Sequence, residues 1–452
     1  MGVFRRRCRI RCVVCVFLAY IATHSLFILM TRPEKLYFVI EMKHHTRHDT
    51  PTVPSNQGEI HRDTICCRGY KGDPPSFRAA HNTNAYHRLS APQGNENASH
   101  MYIFSAHFDV DNNIVDILGT GLTLQPFEPV CVLVADTDPS LRTFTAGSLQ
   151  SLHLHTTDKP VYTTLAVHCP LTSTQLAPSF LRLPPSPLSP GAEKIPIQYP
   201  AQEYRNFTVC YPAAHSGYSN TEEFVESMSM NNILGAGKAF WYNHSLAPSM
   251  RPIVDYFVQC GQLELIPARV PDPVVHGIHY YAQVVVMHDC LYRNRYTSKY
   301  ILFQDMDEVM VPNKDSNWLA LIERLKNKHP MGGSFALRNA FFTKSKQNGL
   351  STSMKANDVK LLSYFNRHKI YDYYDRSKYF LIPRTVDILQ IHGVRHVPGF
   401  HHVVVDVADG LLHHYRSDIQ EQIFTVDRSL DRFSSHLNEL IRNTMNCIRR
   451  RG

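Results

Sequence analysis

The sequence predicts an α/β fold in which a mostly parallel sheet lies between helices. From residue 206 onward, short β-prone apolar runs alternate with longer segments of helical spacing. Such alternation implies right-handed crossovers between parallel strands that are covered on both faces. Hydrophobic residues make up 43% and charged residues 19% of the 452-residue chain. This composition supplies a large core and excludes a wholly disordered protein.

The predicted elements follow one another regularly. Four strands cover residues 207–211, 238–242, 263–266 and 300–304. Helical spacing begins at residue 221 and also occurs at 248–260 and 277–295. Asn220 is a suitable N-cap for the first helix, with Glu223 at the third helical position. Two earlier apolar runs, 101–110 and 130–136, also read as strands. No GxGxxG or P-loop motif follows any of these strands, which disfavours a Rossmann dehydrogenase or a P-loop enzyme.

The N-terminal segment predicts a membrane anchor. Residues 12–30 contain no charged side chain, and a helix of this length spans roughly 28 Å. Five arginines precede it, so the positive-inside rule places residues 1–11 in the cytosol and the rest in a lumen. The alternative, a cleaved signal peptide, is disfavoured by the length of the run and by Ala22-Thr23-His24 as an exit site.

Residues 31–99 are polar and interrupted by prolines, which is typical of a stem. The Pro-rich stretch at about 170–200 indicates a surface insertion, with a domain linker as the alternative. Residues 417–452 show helical spacing and predict a helical segment packed on the catalytic domain.

Charge and cysteine content agree with a lumenal body. The net charge of +8 is concentrated in the arginines at the two chain ends, so we expect no nucleic-acid partner. Eight cysteines follow the anchor and permit disulfides, without fixing their pairing. Three glycosylation sequons begin at Asn97, Asn206 and Asn243.

The strongest chemical signal is a pair of acids after the fourth strand. Residues 305–308 read Asp-Met-Asp-Glu. Alternate residues of an extended backbone share a face, so Asp305 and Asp307 are expected to point the same way. Two carboxylates at a strand end suit a hard divalent cation that also binds phosphates. The alternative is a strand-end turn with solvated acids.

The run HDCLYRNRYTSKYILFQDMDEVMVP at residues 288–312 resembles glycosyltransferase family 92. Further blocks resemble the family in order, at residues 105–110, 234–245, 332–342, 376–394 and 413–416. The resemblance covers about residues 100–416, the expected catalytic domain. Met310, the Pro-rich insertion and the stem depart from the family pattern.

The resemblance implies a GT-A fold with a Rossmann-like nucleotide-sugar half, located at the Golgi membrane as a single-pass type II protein with a lumenal catalytic domain. It also implies inverting transfer of a hexose, most often galactose from UDP-galactose, onto a glycan or glycoprotein acceptor. The implied cofactor is Mn²⁺ or another divalent cation. By the same resemblance Asp305 contacts the donor ribose or the metal, Asp307 binds the metal, and His414 or His392 is a further ligand.

Other roles remain open from the residues. The acceptor hydroxyl needs a general base, for which Glu308, Asp372 and Asp375 are candidates. Asp289 and Arg293 either line the donor pocket or form a surface i,i+4 pair. Arg376 and Lys378 either contact phosphate or are solvated.

Three other classes were compared with this prediction. A phosphohydrolase reading fails because Val309 replaces the required Thr. An EF-hand reading fails at Met310, where Gly is needed. An inactive glycan-binding homologue stays open as the alternative function.

Overall fold

The computed structural model describes residues 34–43, 86–89, 101–122, 127–135, 138–152, 161–171, 177–182, 194–344, 359–419 and 423–450. The described residues form a strand-rich N-terminal unit and a larger α/β unit. The N-terminal strands are β1 Glu34–Lys43, β2 His87–Leu89, β3 Met101–Asp109, β4 Ile114–Leu122, β5 Phe127–Ala135, β6 Asp138–Ala146, β7 Ser148–Ser151, β8 Tyr162–Pro170, β9 Ala177–Arg182 and β10 Lys194–Gln198.

These ten strands form one sheet in the order β6-β5-β1-β9-β10-β3-β4-β8-β7, with β2 beside β3. Most neighbours are antiparallel, whereas β1 with β5 and β10 with β3 are parallel. A disulfide between Cys131 and Cys169 joins β5 to β8, which lie near opposite ends of this order. The sheet therefore curls until its two ends meet. Residues buried inside it include Ile103, Ile117 and Leu133.

The α/β unit contains the remaining elements. Its strands are β11 Arg205–Ala214, β12 Lys238–Asn243, β13 Leu263–Pro267, β14 Ser298–Phe303, β15 Glu308–Pro312, β16 Gly332–Leu337, β17 Asn339–Thr343, β18 Asn366–Ile370, β19 Lys378–Leu381, β20 Val386–Gln390, β21 Gly393–His396, β22 His401–Val404, β23 Gly410–Tyr415 and β24 Thr425–Val426. Its helices are α1 Thr221–Leu234, α2 Arg251–Gln259, α3 Asp272–Val275, α4 Gln283–Asn294, α5 Trp318–Lys328, α6 Lys360–Ser363 and α7 Ser434–Arg449.

The central sheet of this unit has the order β13-β12-β11-β14-β19-β16-β22. The first four strands are parallel, as predicted, but β19 is antiparallel to both β14 and β16. The expected mostly parallel sheet is thus wrong: this sheet is mixed, and the N-terminal sheet is largely antiparallel. A strand buried on both faces reads as an apolar run whatever its direction, so the sequence of β19 does not reveal its orientation.

A second, five-stranded sheet has the order β15-β23-β17-β18-β24. Strand β15 begins directly after the Asp305–Asp307 turn and pairs antiparallel with β23. This pairing sets Glu308 opposite His414, although the two residues are far apart in the chain. A single register therefore brings a C-terminal histidine to the acids at the end of β14.

The predicted helices form with two differences. The side chain of Asn220 accepts a hydrogen bond from the Glu223 backbone N–H at 3.2 Å and caps α1, as predicted. Helix α4 begins at Gln283 instead of residue 277, because Tyr280, Tyr281 and Ala282 all have positive φ. In the described part of the C-terminal segment, residues 423–430 form no helix, a 3-10 turn covers Asp431–Phe433, and α7 follows. Ile423 is 88% exposed, so the helical spacing before α7 has no core to face.

The predicted membrane anchor is not supported. Within the ranges given above, no helix is long and apolar enough to cross a bilayer. Residues 12–30, on which the prediction rests, lie outside the described residues. The expected Golgi localisation as a single-pass membrane protein is corrected accordingly and is not retained. Strands β1 and β2 fall within the range predicted as a stem.

Candidate active site

The acids at the end of β14 are held in a tight turn. The Asp305 backbone N–H donates to Glu308 Oε2 at 2.8 Å, and the Glu308 N–H donates to the Asp305 carbonyl at 3.2 Å. Gln304 Nε2 donates to the Glu308 carbonyl at 3.1 Å. The side chains of Asp305 and Asp307 are 35% and 27% exposed, whereas that of Glu308 is 1% exposed. Two carboxylates therefore face solvent while the third holds the turn.

Two basic side chains face these acids. Lys378, the first residue of β19, places Nζ 3.0 Å from Asp305 Oδ2 and 3.6 Å from Glu308 Oε2. His414 on β23 places Nε2 3.3 Å from Asp307 Oδ2 and Nδ1 3.3 Å from Glu308 Oε1. The structure therefore brings five residues predicted from the sequence into one group: Asp305, Asp307, Glu308, Lys378 and His414. We call this group the acid cluster.

The pKa values in the acid cluster reflect its crowding. Burial raises the pKa of the Glu308 carboxyl to about 7, against the opposing effect of the Lys378 charge. Burial also opposes ionisation of Asp307, but the hydrogen bond from His414 outweighs it and holds that pKa below its usual value. For His414, burial lowers the pKa, yet the carboxylates of Asp307 and Glu308 more than compensate and raise it. Asp307 is consequently an anion that a cation can bind.

The acid cluster fits a metal ion that is shared with a ligand. In the portion of the chain that the structure describes, no group of three or more His, Cys, Asp or Glu side chains is placed to hold a metal ion by itself. Mg²⁺-like ions in nucleotide sites commonly use one or two carboxylates and take further oxygens from phosphate and water. The partly exposed Asp305 and Asp307 match this donor set, and His414 adjoins it.

The competing histidine lies in a different position. His392 engages the Ser377 carbonyl through Nδ1 at 3.1 Å. Burial and the nearby Lys378 charge lower the pKa of His392. It is thus close to Lys378 without facing the acids directly, and His414 is the histidine that the structure brings to Asp307.

The loop after β18 carries the other predicted base and phosphate residues. The side chain of Asp372 is 97% exposed and lies 3.1 Å from Arg338, and that of Asp375 is 55% exposed. The Arg376 guanidinium lies 5.6 Å from the centre of the Phe341 ring, which itself packs edge-on against His414. The loop therefore lies at the rim of the acid cluster, with its charges in solvent.

Asp289 and Arg293 are not at this rim. The Asp289 side chain is fully buried, and it accepts hydrogen bonds from Tyr242 at 2.8 Å and Arg293 at 2.5 Å and contacts His107 Nε2 at 3.0 Å. His107 belongs to β3, so the pair on α4 ties the two units together. The sequence left two readings open, a lining of the donor pocket and a surface pair. The structure places the pair in the interior because this face of α4 turns inward toward β3, and a role at the donor stays a prediction.

An aromatic group missed by the sequence analysis lies beyond the carboxyl ends of β11 and β12. His215 stacks on Tyr281 with ring centres 4.2 Å apart, and Tyr280 approaches His215 edge-on at 5.1 Å. Tyr280 is 54% exposed. Burial, followed by the carboxylates of Asp305 and Asp307, raises the pKa of Tyr280, which indicates that the ring lies near the acid cluster. Only the position of His215, just after a parallel strand, could have signalled this group.

The structure also places several of the cysteines and two of the three glycosylation sequons. A disulfide joins Cys210 on β11 to Cys290 on α4, and Cys260 and Cys447 are also disulfide-bonded. Asn206 is exposed at the start of β11, Asn243 is buried at the end of β12, and Asn97 lies outside the described residues.

Comparisons with solved structures show only weak likeness. S. aureus TarS 1-349 in complex with UDP matches with a TM-score of 0.21 and 10% identity, over 40% of this chain and 47% of that one. Glucosyl-3-phosphoglycerate synthase from Mycobacterium tuberculosis matches with a TM-score of 0.23 and 12% identity, over 54% of this chain and 80% of that one. Scores of this size add no argument about the fold.

Sequence comparison is more informative. Beta-1,4-galactosyltransferase galt-1 of Caenorhabditis elegans is 29% identical over an alignment of 129 residues that covers 26% of this chain. The matched part spans about 30% of the length of that relative. The model of glycosyltransferase family 92 matches residues 205–450, more than half of the chain and the whole α/β unit. This range includes the acid cluster and confirms the family that the motifs predicted, although it begins after the block at 105–110. The chain belongs to glycosyltransferase family 92.

Proposed function

We propose that this protein is a metal-dependent glycosyltransferase that moves galactose from UDP-galactose onto a glycan acceptor, with inversion at the sugar's C1. Family membership supports glycosyl transfer. The name of the Caenorhabditis elegans relative supports galactose as the sugar. The observation that carries the proposal is the partly exposed pair Asp305 and Asp307, held at a strand end next to Lys378 and His414.

Each residue of the acid cluster has a proposed task. Asp307, with Asp305 and His414, would hold a divalent ion such as Mn²⁺. When bound, the ion offsets the negative charge that grows on the departing diphosphate. Lys378 is 5% exposed and lies between Asp305 and Glu308, where its charge relieves the repulsion among three neighbouring carboxylates. Glu308 fixes the turn through the Asp305 N–H.

The aromatic group offers a place for the nucleotide base. Flat rings such as uracil stack favourably on aromatic side chains. Tyr280 presents half of its surface to solvent and is supported from behind by the His215–Tyr281 stack. We place the uridine against Tyr280, with its diphosphate directed to Asp305 and Asp307.

Side-chain exposure narrows the choice of the general base. An acceptor hydroxyl must come within hydrogen-bond reach of the base. The Glu308 carboxylate is almost wholly enclosed and is already engaged by the Asp305 N–H, so it suits a positioning role better than proton transfer. Asp372 and Asp375 are both exposed on the loop after β18. Separate substitutions of the two residues would decide which of them is the general base.

The full chain should be incubated with a panel of UDP-sugars and a glycan array, with Mn²⁺ or with a chelator. The proposal expects consumption of UDP-galactose only with the metal and an inverted anomeric configuration in the product by NMR. Transfer that persists in chelator would contradict the metal role, and preference for another UDP-sugar would contradict galactose. Glycan binding without consumption of any UDP-sugar would favour the inactive homologue instead.

A further inference from the structure

A cavity apart from the acid cluster lies at the junction of the two units. It has a volume of about 140 Å³, opens to solvent, and is enclosed by β3, the segment after β10, the first residues of β11 and β12, and the end of α4. We call it the junction cavity. Its polar and aromatic lining includes Tyr199, Glu203, Arg205, Lys238, Glu264 and Asn294.

The junction cavity is separate from the acid cluster. Arg205 and Lys238 begin β11 and β12, whereas the acids follow the carboxyl end of β14, a strand parallel to both. The six residues of β14 lie between the two edges, and at about 3.3 Å per residue they separate them by roughly 20 Å. A ligand in the junction cavity therefore does not occupy the proposed transfer site.

The polar lining is balanced in charge and in hydrogen-bonding capacity. Lys238 Nζ lies 2.9 Å from Glu264 Oε2, and an Arg205 nitrogen lies 3.4 Å from Glu203 Oε2. Arg205 also donates to the Asn294 side chain at 3.0 Å. Arg293, the third cation of the lining, pairs with the buried Asp289. Each lining cation is thus already next to a carboxylate, so the lining does not present the excess positive charge that a phosphate requires. Donors and acceptors alternate around the wall instead.

An aromatic ring adds an apolar wall. Tyr199 is 42% exposed, and its ring centre lies 5.0 Å from that of Phe108. The Tyr199 hydroxyl donates to the Pro178 carbonyl at 2.6 Å, which fixes the orientation of the ring. An enclosed cavity of about 150 Å³ holds benzene, which is smaller than a pyranose, so the junction cavity encloses one side of a sugar ring and leaves the rest in solvent. The junction cavity thus combines a fixed aromatic face with paired polar groups and room for one side of such a ring.

We propose that the junction cavity binds a neutral saccharide unit of a glycan, as a second sugar site apart from the transfer site. Sugar hydroxyls both donate and accept hydrogen bonds, which matches a lining of ion-paired carboxylates, cations and an amide. The carbon–hydrogen face of a pyranose is apolar and fits against Tyr199. A balanced lining recognises this chemistry better than it recognises an anion or a metal ion.

Binding to the full chain, without nucleotide donor, tests the inference. Saturation-transfer NMR with methyl glycosides of galactose, glucose, mannose and N-acetylglucosamine should detect at least one bound sugar. Tyr199→Ala should weaken its affinity about tenfold. Tyr199→Phe keeps the ring and loses only the hydroxyl bond to Pro178, so it should weaken the affinity less than Tyr199→Ala does. Glu264→Gln should also weaken binding, since it disturbs the Lys238 pair at a side chain that is 41% exposed and tolerant of change.

The matched control is Asp307→Ala, which should bind the sugar like wild type because it alters only the acid cluster. The inference is overturned if no glycoside binds, if Tyr199→Ala and Glu264→Gln leave binding unchanged, or if Asp307→Ala or UDP with Mn²⁺ abolishes it. Displacement of the sugar by inorganic phosphate would overturn it in favour of an anion site. A chain that binds sugar but transfers none supports this inference while contradicting the proposed function, so the two can fail separately.

Discussion

Two groups of acids in this protein use similar partners and differ in exposure. The acid cluster joins Asp307 to a histidine and Asp305 to a lysine, and both aspartates face solvent. The second group, around Asp289, joins a carboxylate to His107 and Arg293 in the interior. Residue types and charge pairing are thus nearly the same in both.

The two groups differ in how many partners already contact each carboxylate and in how much of it solvent can reach. The two oxygens of Asp289 contact His107, Tyr242 and Arg293, and burial leaves no access for a ligand. Arg293 and His107 outweigh burial and hold the pKa of Asp289 far below its usual value. Asp307 keeps 27% of its side chain exposed. A carboxylate accepts several hydrogen bonds or metal bonds, so the exposed acid retains capacity for chemistry and the buried one serves stability.

The largest expected effect is the loss of transfer in Asp307→Ala. Removal of the carboxylate that binds the ion should slow transfer about a thousandfold, or ~4 kcal/mol. Asp307→Asn should be nearly as slow, because it keeps the shape but removes the charge. Steady-state kinetics at saturating UDP-galactose measures the effect. Unchanged thermal unfolding of both variants is the control, and near wild-type transfer would show that the turn has no metal role.

Asp289→Ala should act on stability. It leaves the buried Arg293 and His107 without their carboxylate, and breaking a buried ion pair costs about 3 kcal/mol or more. Urea unfolding measures the change. Glu323→Ala, which breaks the exposed pair with Lys299, is the matched control and should cost less than about 1 kcal/mol. Equal costs for both variants would remove the distinction between the two groups.

His288 should make stability depend on pH. It is fully buried, donates through Nδ1 to the Val284 carbonyl and accepts the Leu389 N–H at Nε2. Burial lowers its pKa to about 4, whereas an unfolded histidine titrates near about 6.5. The unfolded chain therefore binds a proton that the folded chain excludes, and stability is complete above pH 6.5 and falls as the pH drops toward 4.

The size of this loss is about 3 kcal/mol across that interval. Urea unfolding of wild type and His288→Gln at several pH values measures it. The variant cannot titrate, so its stability should fall less steeply on acidification. Parallel pH profiles for the two proteins would contradict the neutral, buried state of His288.

The smallest effect is expected at Tyr280. Tyr280→Ala keeps a Cβ at the same positive φ and so removes only the ring. Loss of one stacking contact of about 1 kcal/mol should raise the KM for UDP-galactose several-fold with little change in kcat. Tyr280→Phe should restore the KM. A lower kcat with an unchanged KM would place Tyr280 outside the donor site.

The sequence predicted features that depend on local chemistry. Asn220 caps α1 because its side chain reaches the N–H three residues on. The acids after β14 could be recognised because the strand, the turn and the spacing of the two aspartates all lie within one short stretch of sequence. The partner of Asp307 depends instead on the pairing of β15 with β23, which joins segments about a hundred residues apart. His414 was therefore predicted only through the resemblance to the family.

Burial of individual side chains was the second feature that could not be predicted from the sequence. Asp289 and Arg293 have the spacing of a surface i,i+4 pair, and nothing in α4 shows that β3 covers this face. The curled N-terminal sheet depends on long-range pairing and on the Cys131–Cys169 disulfide, whose connectivity the cysteine positions do not fix. The left-handed backbone at Tyr280 and Tyr281 is rare for such residues, so their sequence predicted a continuous helix.

The most direct test of the proposed metal site is Mn²⁺ binding in the presence of UDP, measured by electron paramagnetic resonance on wild type, Asp307→Ala and Asp289→Asn. Wild type should bind the ion, Asp307→Ala should bind it at least about tenfold more weakly, and whatever fraction of Asp289→Asn folds should bind it like wild type. Equal Mn²⁺ affinity in wild type and Asp307→Ala would contradict the claim that the exposed acid cluster is the metal site.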